Sequence, residues 1–223
     1  MENPRGVLFD IDGTLIDTTY LHTVCWWEAL RQAEHDVPMA SIHRSVGMGA
    51  DKLLEHVLGP EHDRDGDQRI RDAHDSLYAE YWPRLRPLPG AVALLRACAG
   101  LGLRVVLASS AAEHEASALR AVLNADDVIA AVTTSADARE SKPAPDIVAA
   151  ALEQSGLEAS RVVFVGDSIW DVAASGQLDI ACIGLTCGGT SRGELAGAGA
   201  VAVYHDPADL LAALSESPIA ALS

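Results

Sequence analysis

Along the chain, short runs of consecutive apolar residues alternate with longer stretches whose apolar positions recur every three or four residues. The runs at 7–11, 104–108, 128–133, 161–165, 180–185 and 200–204 are rich in valine, isoleucine and alanine and read as strands. Those through Val105, Val163 and Ile180 are near-continuously apolar, as strands buried on both faces must be. Helical spacing occupies 91–99, 113–123, 145–154 and 168–175, and Gly100, Gly102 and Gly156 punctuate the helix-to-strand turns. This alternation predicts an α/β fold, a Rossmann-like open parallel sheet with helices on both faces.

Residues 17–86 break the alternation. The stretches 18–33, 51–58 and 67–82 read as helices and nothing there reads as a strand. Gly59-Pro60 and the acidic run EHDRDGDQ read as a solvated loop, and Pro83, Pro87 and Pro89 as a stiff return. Seventy residues are too many for one crossover. The predicted division is therefore a core domain of residues 1–16 and 87–223 with an all-α domain, 17–86, inserted into it.

Composition narrows the function. Of 223 residues, 49% are hydrophobic and 22% charged, which suits a packed core and excludes disorder. The net charge of −16 argues against nucleic acid and anionic membranes as partners, and any anion site would need a local cation. Cys25, Cys98, Cys182 and Cys187 form no CxxC pair and no zinc spacing, so they read as isolated thiols in a reducing compartment. The N-terminus carries no secretory pattern and no apolar run is long enough for a bilayer, so a soluble cytoplasmic protein is expected.

Four places that follow predicted strands carry polar residues. The first ends in Asp10-Ile11-Asp12-Gly13-Thr14; two carboxylates two apart on a strand would face the same way, although Asp12-Gly13 alone is ordinary turn chemistry. In Gly166-Asp167-Ser168-Ile169-Trp170-Asp171, either Asp167 or Ser168 can cap a helix with Asp171 in its first turn. Together the two pairs of carboxylates suit a hard cation such as Mg²⁺. Ser109-Ser110 can hold phosphate oxygens or, for Ser110 especially, cap the next helix. Lys142, in Ser141-Lys142-Pro143, is either a surface charge or a rigid counter-charge to the carboxylates.

The strings DIDGT, ASS, SKPAPD and GDSIWD, in this order, resemble the four signatures of the haloacid dehalogenase superfamily, in particular its phosphoglycolate phosphatase and β-phosphoglucomutase-like group. The resemblance covers residues 1–16 and about 87–205, with the helical insertion where that group carries a mobile cap. It implies an Mg²⁺-dependent hydrolase working through an aspartyl-phosphate. Asp10 would be the nucleophile and Asp12 the general acid/base, with Ser109 and Lys142 binding phosphate. The metal would rest on Asp10, Asp12 (through its carbonyl), Asp167 and Asp171.

In the insertion, Asp17 and Thr18 are hinge candidates at one chain crossing, with residues 86–89 at the other. His22 reads either as a packing histidine or as the substrate-side histidine found here in relatives acting on sugar phosphates. Trp26 and Trp27 read as cap core. Gly47 and Gly49 would let the loop SVGMGAD approach a substrate, while Arg44 and Lys52 flank it as candidates for a second anion, Arg44 reading equally as an exposed residue at a helix end. The function expected is phosphatase action on a small phosphate monoester, phosphoglycolate or a sugar phosphate, by a monomer or homodimer. A β-phosphoglucomutase-type mutase is the alternative. A dehalogenase would lack Asp12, and a receiver-like signalling module would lack the insertion.

Overall fold

The first strand, β1 (Gly6–Phe9), is apolar at all four positions and buried throughout, because it pairs on both sides. In this computed structural model, which describes residues 3–222, β1 is followed by α1 (Thr19–Gln32), α2 (Met39–Ser45), α3 (Ala50–Leu58) and α4 (Asp67–Ala79). The chain then runs through α5 (Ala91–Gly100), β2 (Arg104–Ala108), α6 (Glu113–Leu123), β3 (Ile129–Thr133) and α7 (Asp146–Ser155). It ends with β4 (Val162–Gly166), α8 (Ile169–Gly176), β5 (Ala181–Leu185), α9 (Arg192–Ala198), β6 (Ala202–Tyr204) and α10 (Pro207–Ala212).

The six strands form one parallel sheet in the order β3-β2-β1-β4-β5-β6, with Leu8 level with Val106 on one side and Phe164 on the other. Alternation then divides the side chains. Val7, Phe9, Val105, Leu107, Val163 and Val165 face α5, α6 and α10, while Leu8, Val106 and Phe164 face α7, α8 and α9. The strand order reverses at β1, and in open α/β sheets the crevice at such a point, beyond the carboxyl ends of the strands, is where ligands bind.

Helices α1–α4 carry an apolar cluster of their own, built on Trp26, Leu30, Ile42, Leu53, Leu54 and Ile70, while Cys25 and Tyr78 pack into the sheet-side core. The two chain crossings between insertion and sheet lie side by side: Leu88 N–H donates to Leu15 O at 2.8 Å, and Ile16 bridges Pro87.

Several expectations need correction. Helix α2 is additional; Ser45 belongs to it and not to the loop, and Arg44 is an exposed residue of its last turn, as the helix-end reading has it. Helix α4 stops at Ala79, and Trp82–Arg84 is a separate 3-10 turn around Pro83. The run EHDRDGDQ is not wholly solvated: His62 lies 3.0 Å from Asp67 with both side chains buried, and Asp67 opens α4. Helices α9 and α10 are additional, each begun by a serine or aspartate cap, Ser191 and Asp206.

Candidate active site

Strand β1 ends at Phe9, one residue before Asp10, so the turn and not strand alternation places the two acids. They look different ways. Asp10 Oδ1 meets Lys142 Nζ at 2.6 Å, and Asp12 Oδ1 accepts from Thr18 Oγ1 at 2.7 Å and lies 3.3 Å from His22 Nε2. The turn depends on Gly13, at φ +74°, where a Cβ would stand 2.6 Å from Asp167 Oδ2.

Lys142 is fully buried and also lies 2.8 Å from Asp171 Oδ1, so it is the counter-charge and not a surface residue. Thr14 Oγ1 sits 3.0 Å from Asp167 Oδ1 and 3.3 Å from Asp10 Oδ2, tying the two strand ends together. Ser168 caps α8, and Asp171 Oδ2 accepts from both its N–H and its hydroxyl. Asp171 therefore serves as a capping residue and faces Lys142 at once.

Ser109 is buried and its Oγ accepts from Ala111 N–H at 3.0 Å. Helix α6 starts at Glu113 with Ala112 at its cap position, so Ser110 is not the cap that local chemistry suggested. Its hydroxyl is buried with no hydrogen-bond partner and borders the same cavity as Asp10 and Asp12.

Burial raises the Asp10 carboxyl to about 7 against the pull of Lys142, with Asp171 and Asp12 adding to the rise. Asp167 is driven well above the usual carboxylate range by burial and then by Asp171 and Asp10. Burial opposes the charge on Lys142, but Asp10 and Asp171 outweigh it and hold the ammonium protonated. Oxygen atoms of Asp10, Asp167 and Asp171 lie within 4.8 Å of one another. Three mutually repelling buried carboxylates share one ammonium. That all-oxygen, under-neutralised set fits a hard divalent cation such as Mg²⁺.

The cavity, about 380 Å³, lies between the strand ends and the insertion and is bordered by Asp10, Asp12, Ser109 and Ser110 from below and by His22, Trp26 and Gly47–Ala50 from above. Gly47 has φ +101°, and a Cβ there would press to 2.8 Å from Ser168 Oγ, so its smallness also serves the seat of the insertion on α8. Arg44 is paired with Glu194 and Lys52 with Glu140 at 3.3 Å; neither borders this cavity. Both instead tie the insertion to the core, as do Trp170 Nε1 donating to Arg44 O at 2.9 Å and Ser141 Oγ donating to Asp51 Oδ1 at 2.7 Å.

His22 is a packing histidine that also borders the cavity. It is buried, stacked on Tyr78 with ring centres 4.0 Å apart, and it also touches Asp12. Its Nδ1 lies 3.1 Å from His74 Nε2, and His74 Nδ1 lies 2.9 Å from Asp75 Oδ1. Burial opposes a charge on His22, but the hydrogen bond and charge of Asp12 reverse it and raise the imidazole. Burial likewise pushes Asp12 up, and the hydrogen bond and charge of His22 win, holding it below the usual range. Burial and the His22 charge lower His74 to about 4. A protonated His22 can then donate to Asp12 and to His74 together.

Sequence reasoning missed His74, Asp75 and Glu115. Ile70, His74 and Tyr78 follow one another at four-residue intervals on the buried face of α4, a stripe visible in the sequence. Glu115 lies in the first turn of α6, yet it is 9% exposed and its Oε1 lies 3.5 Å from His22 Nε2.

The model for haloacid dehalogenase-like hydrolases matches residues 4–179. This chain belongs to that family. Within it, a phosphoglycolate phosphatase of Rhodospirillum rubrum is 34% identical over 224 residues, covering 93% of this chain and 89% of that protein. The crystal structure of a hydrolase from Pseudomonas syringae superposes with a TM-score of 0.90 at 33% identity, covering 95% of this chain and 98% of that one. A putative β-phosphoglucomutase from Bacteroides vulgatus shares the fold, with a TM-score of 0.86 at 19% identity and coverage of 99% and 90%. The family membership, the Rossmann-like fold and the hydrolase class read from the four signatures all stand. The four cysteines are free and apart, and among the described residues no helix is long and apolar enough to cross a membrane.

Proposed function

We propose that this family member is a phosphatase acting on a small phosphate monoester, of the phosphoglycolate or sugar-phosphate type, with Asp10 as nucleophile and Asp12 as general acid/base. The observation that carries this reading is the division of labour between the two acids. Asp10 is braced by Lys142 at 2.6 Å, whereas Asp12 is held by Thr18 and His22, and both border one cavity. The relatives named as phosphoglycolate phosphatases support it.

In the first step an oxygen of Asp10 bonds to phosphorus as the ester P–O bond breaks, and the leaving alkoxide takes a proton from Asp12. In the second, Asp12 withdraws a proton from water as the water oxygen attacks phosphorus, releasing inorganic phosphate and restoring Asp10. His22, beside Asp12, holds the proton that the pair keeps between turnovers. Ser109, Ser110 and Lys142 would bind the phosphoryl oxygens. Asp10, Asp167, Asp171 and the Asp12 carbonyl would hold Mg²⁺, which when bound neutralises charge on nucleophile and phosphate. Residues 17–86 would act as a cap whose closure excludes bulk water, and the bridges from Arg44, Lys52, Asp51 and Trp170 support a closed arrangement here.

The test is phosphate release from phosphoglycolate and small sugar phosphates, with Mg²⁺ and after chelation. Release that needs the metal and disappears in Asp10→Asn is expected. Full turnover after exhaustive chelation would defeat the metal assignment, and absence of release from every monoester would defeat the reading.

A further inference from the structure

Glu115 has no place in the chemistry above, yet it lies among its parts. It comes from the first turn of α6, is 9% exposed, and borders the cavity that holds Asp10 and Asp12. Its Oε1 is buried without a hydrogen-bond partner. That oxygen stands 3.5 Å from His22 Nε2, and Asp12, His22 and Glu115 each offer an atom within 4.8 Å of the others. A buried carboxylate oxygen with an imidazole at 3.5 Å but no hydrogen bond carries a desolvation cost that a partner arriving with the substrate would relieve.

Position decides what that partner is. Asp12 must reach the ester oxygen of the leaving group, so a carboxyl beside Asp12 and His22 faces the carbons that follow that oxygen. Resting on the phosphatase reading, we infer that Glu115 is a specificity residue that hydrogen-bonds a hydroxyl on the leaving group close to the scissile ester, selecting polyol or sugar phosphates. Burial raises Glu115 to about 8, so both protonation states are accessible near neutrality. A hydroxyl both donates and accepts and so matches either state; an alkyl group matches neither. A carboxylate at the same place would meet Asp12 and Asp75 as further negative charges on the cavity wall. Arg71 and Arg139 also border the cavity, and among the described residues neither has an ion pair with Glu115 or Asp12.

The experiment compares kcat/KM for glycerol phosphate, propyl phosphate and phosphoglycolate. The first two share a three-carbon leaving group and differ only in hydroxyls. Wild type should favour glycerol phosphate over propyl phosphate by about tenfold or more, the worth of one hydrogen bond to a charged or buried group. Glu115→Leu, or Glu115→Ala if the first does not fold, should bring that ratio near one. Glu115→Gln, which keeps donor and acceptor, should preserve most of it. A wild-type ratio near one, a ratio unchanged by truncation, or phosphoglycolate as the best of the three overturns the inference. No metal-dependent release from any of them defeats the phosphatase reading itself, and this inference with it.

Discussion

The Thr18 hydroxyl donates to Asp12 Oδ1 at 2.7 Å, so the residue that precedes the first helix of the insertion also grips the acid in the turn after the first strand. His22, one turn further along α1, approaches the same oxygen. Movement of α1 would therefore reposition Asp12, the proposed acid/base. Thr18→Val should lower kcat roughly tenfold with little change in KM, the loss of one hydrogen bond to a charged group. Thr18→Ser should restore it. Steady-state kinetics of the two variants checks this, and a rise in KM alone would contradict it.

Asp10→Asn should abolish turnover and retain no phosphate, because the attacking oxygen is gone. Asp12→Asn should keep a slow first step and be impaired in water attack, since a positioned proton-transfer group is worth about 10²–10⁴-fold. Intact-mass spectrometry after substrate exposure distinguishes them: phosphate held by Asp12→Asn fits, and phosphate held by Asp10→Asn does not.

Net hydrolysis, and not mutase chemistry, is expected. A mutase must clamp a sugar bearing two phosphates, and the two basic residues flanking the loop at Gly47 are engaged with Glu194 and Glu140. With β-glucose 1-phosphate and a catalytic amount of the 1,6-bisphosphate, inorganic phosphate should appear in step with substrate loss. Rapid formation of glucose 6-phosphate with little free phosphate would reverse this assignment.

His74 makes stability depend on pH. Unfolded, it binds a proton near 6.5; folded, not until about 4. Between those values the unfolded state holds more protons, so its contribution is complete above pH 6.5 and is lost as pH falls toward 4. Glu115 runs the other way: its folded carboxyl protonates near 8, so its contribution is present below about 4.5 and lost as pH rises through 8. Denaturant unfolding of wild type against His74→Gln isolates the first effect. The stability advantage of wild type should shrink by about 2 kcal/mol between pH 7.5 and 5; a constant difference would refute the assignment.

Much of this was legible because parallel strands are apolar on both faces, which made polar residues at their ends conspicuous. All six strands and the places of Asp10, Ser109 and Asp167 follow from that contrast, whereas Lys142 sits beyond β3 in the turn before α7. The rest depends on contacts between segments distant in sequence. Arg44 could be read as a ligand until Glu194, 150 residues away, was seen to pair with it. Glu115 looks like a helix-dipole acid because nothing local reveals that His22 lies over it. Ser110 resembles a cap because its sequence context is that of one, yet the helix begins later. Helix α2, MASIHRS, is too short to display a period and forms against α1 and α3.

The hydrogen bond from Leu88 to Leu15 makes the insertion a loop that begins and ends at one neck. A loop whose ends are already joined costs the sheet almost nothing more when it lengthens, because closure entropy grows only as the logarithm of its length. The α/β half of this molecule is therefore indifferent to how many residues pass through that neck. New selectivity can be tried out there, by exchange or extension of the helices, without renegotiating the strands that hold Asp10.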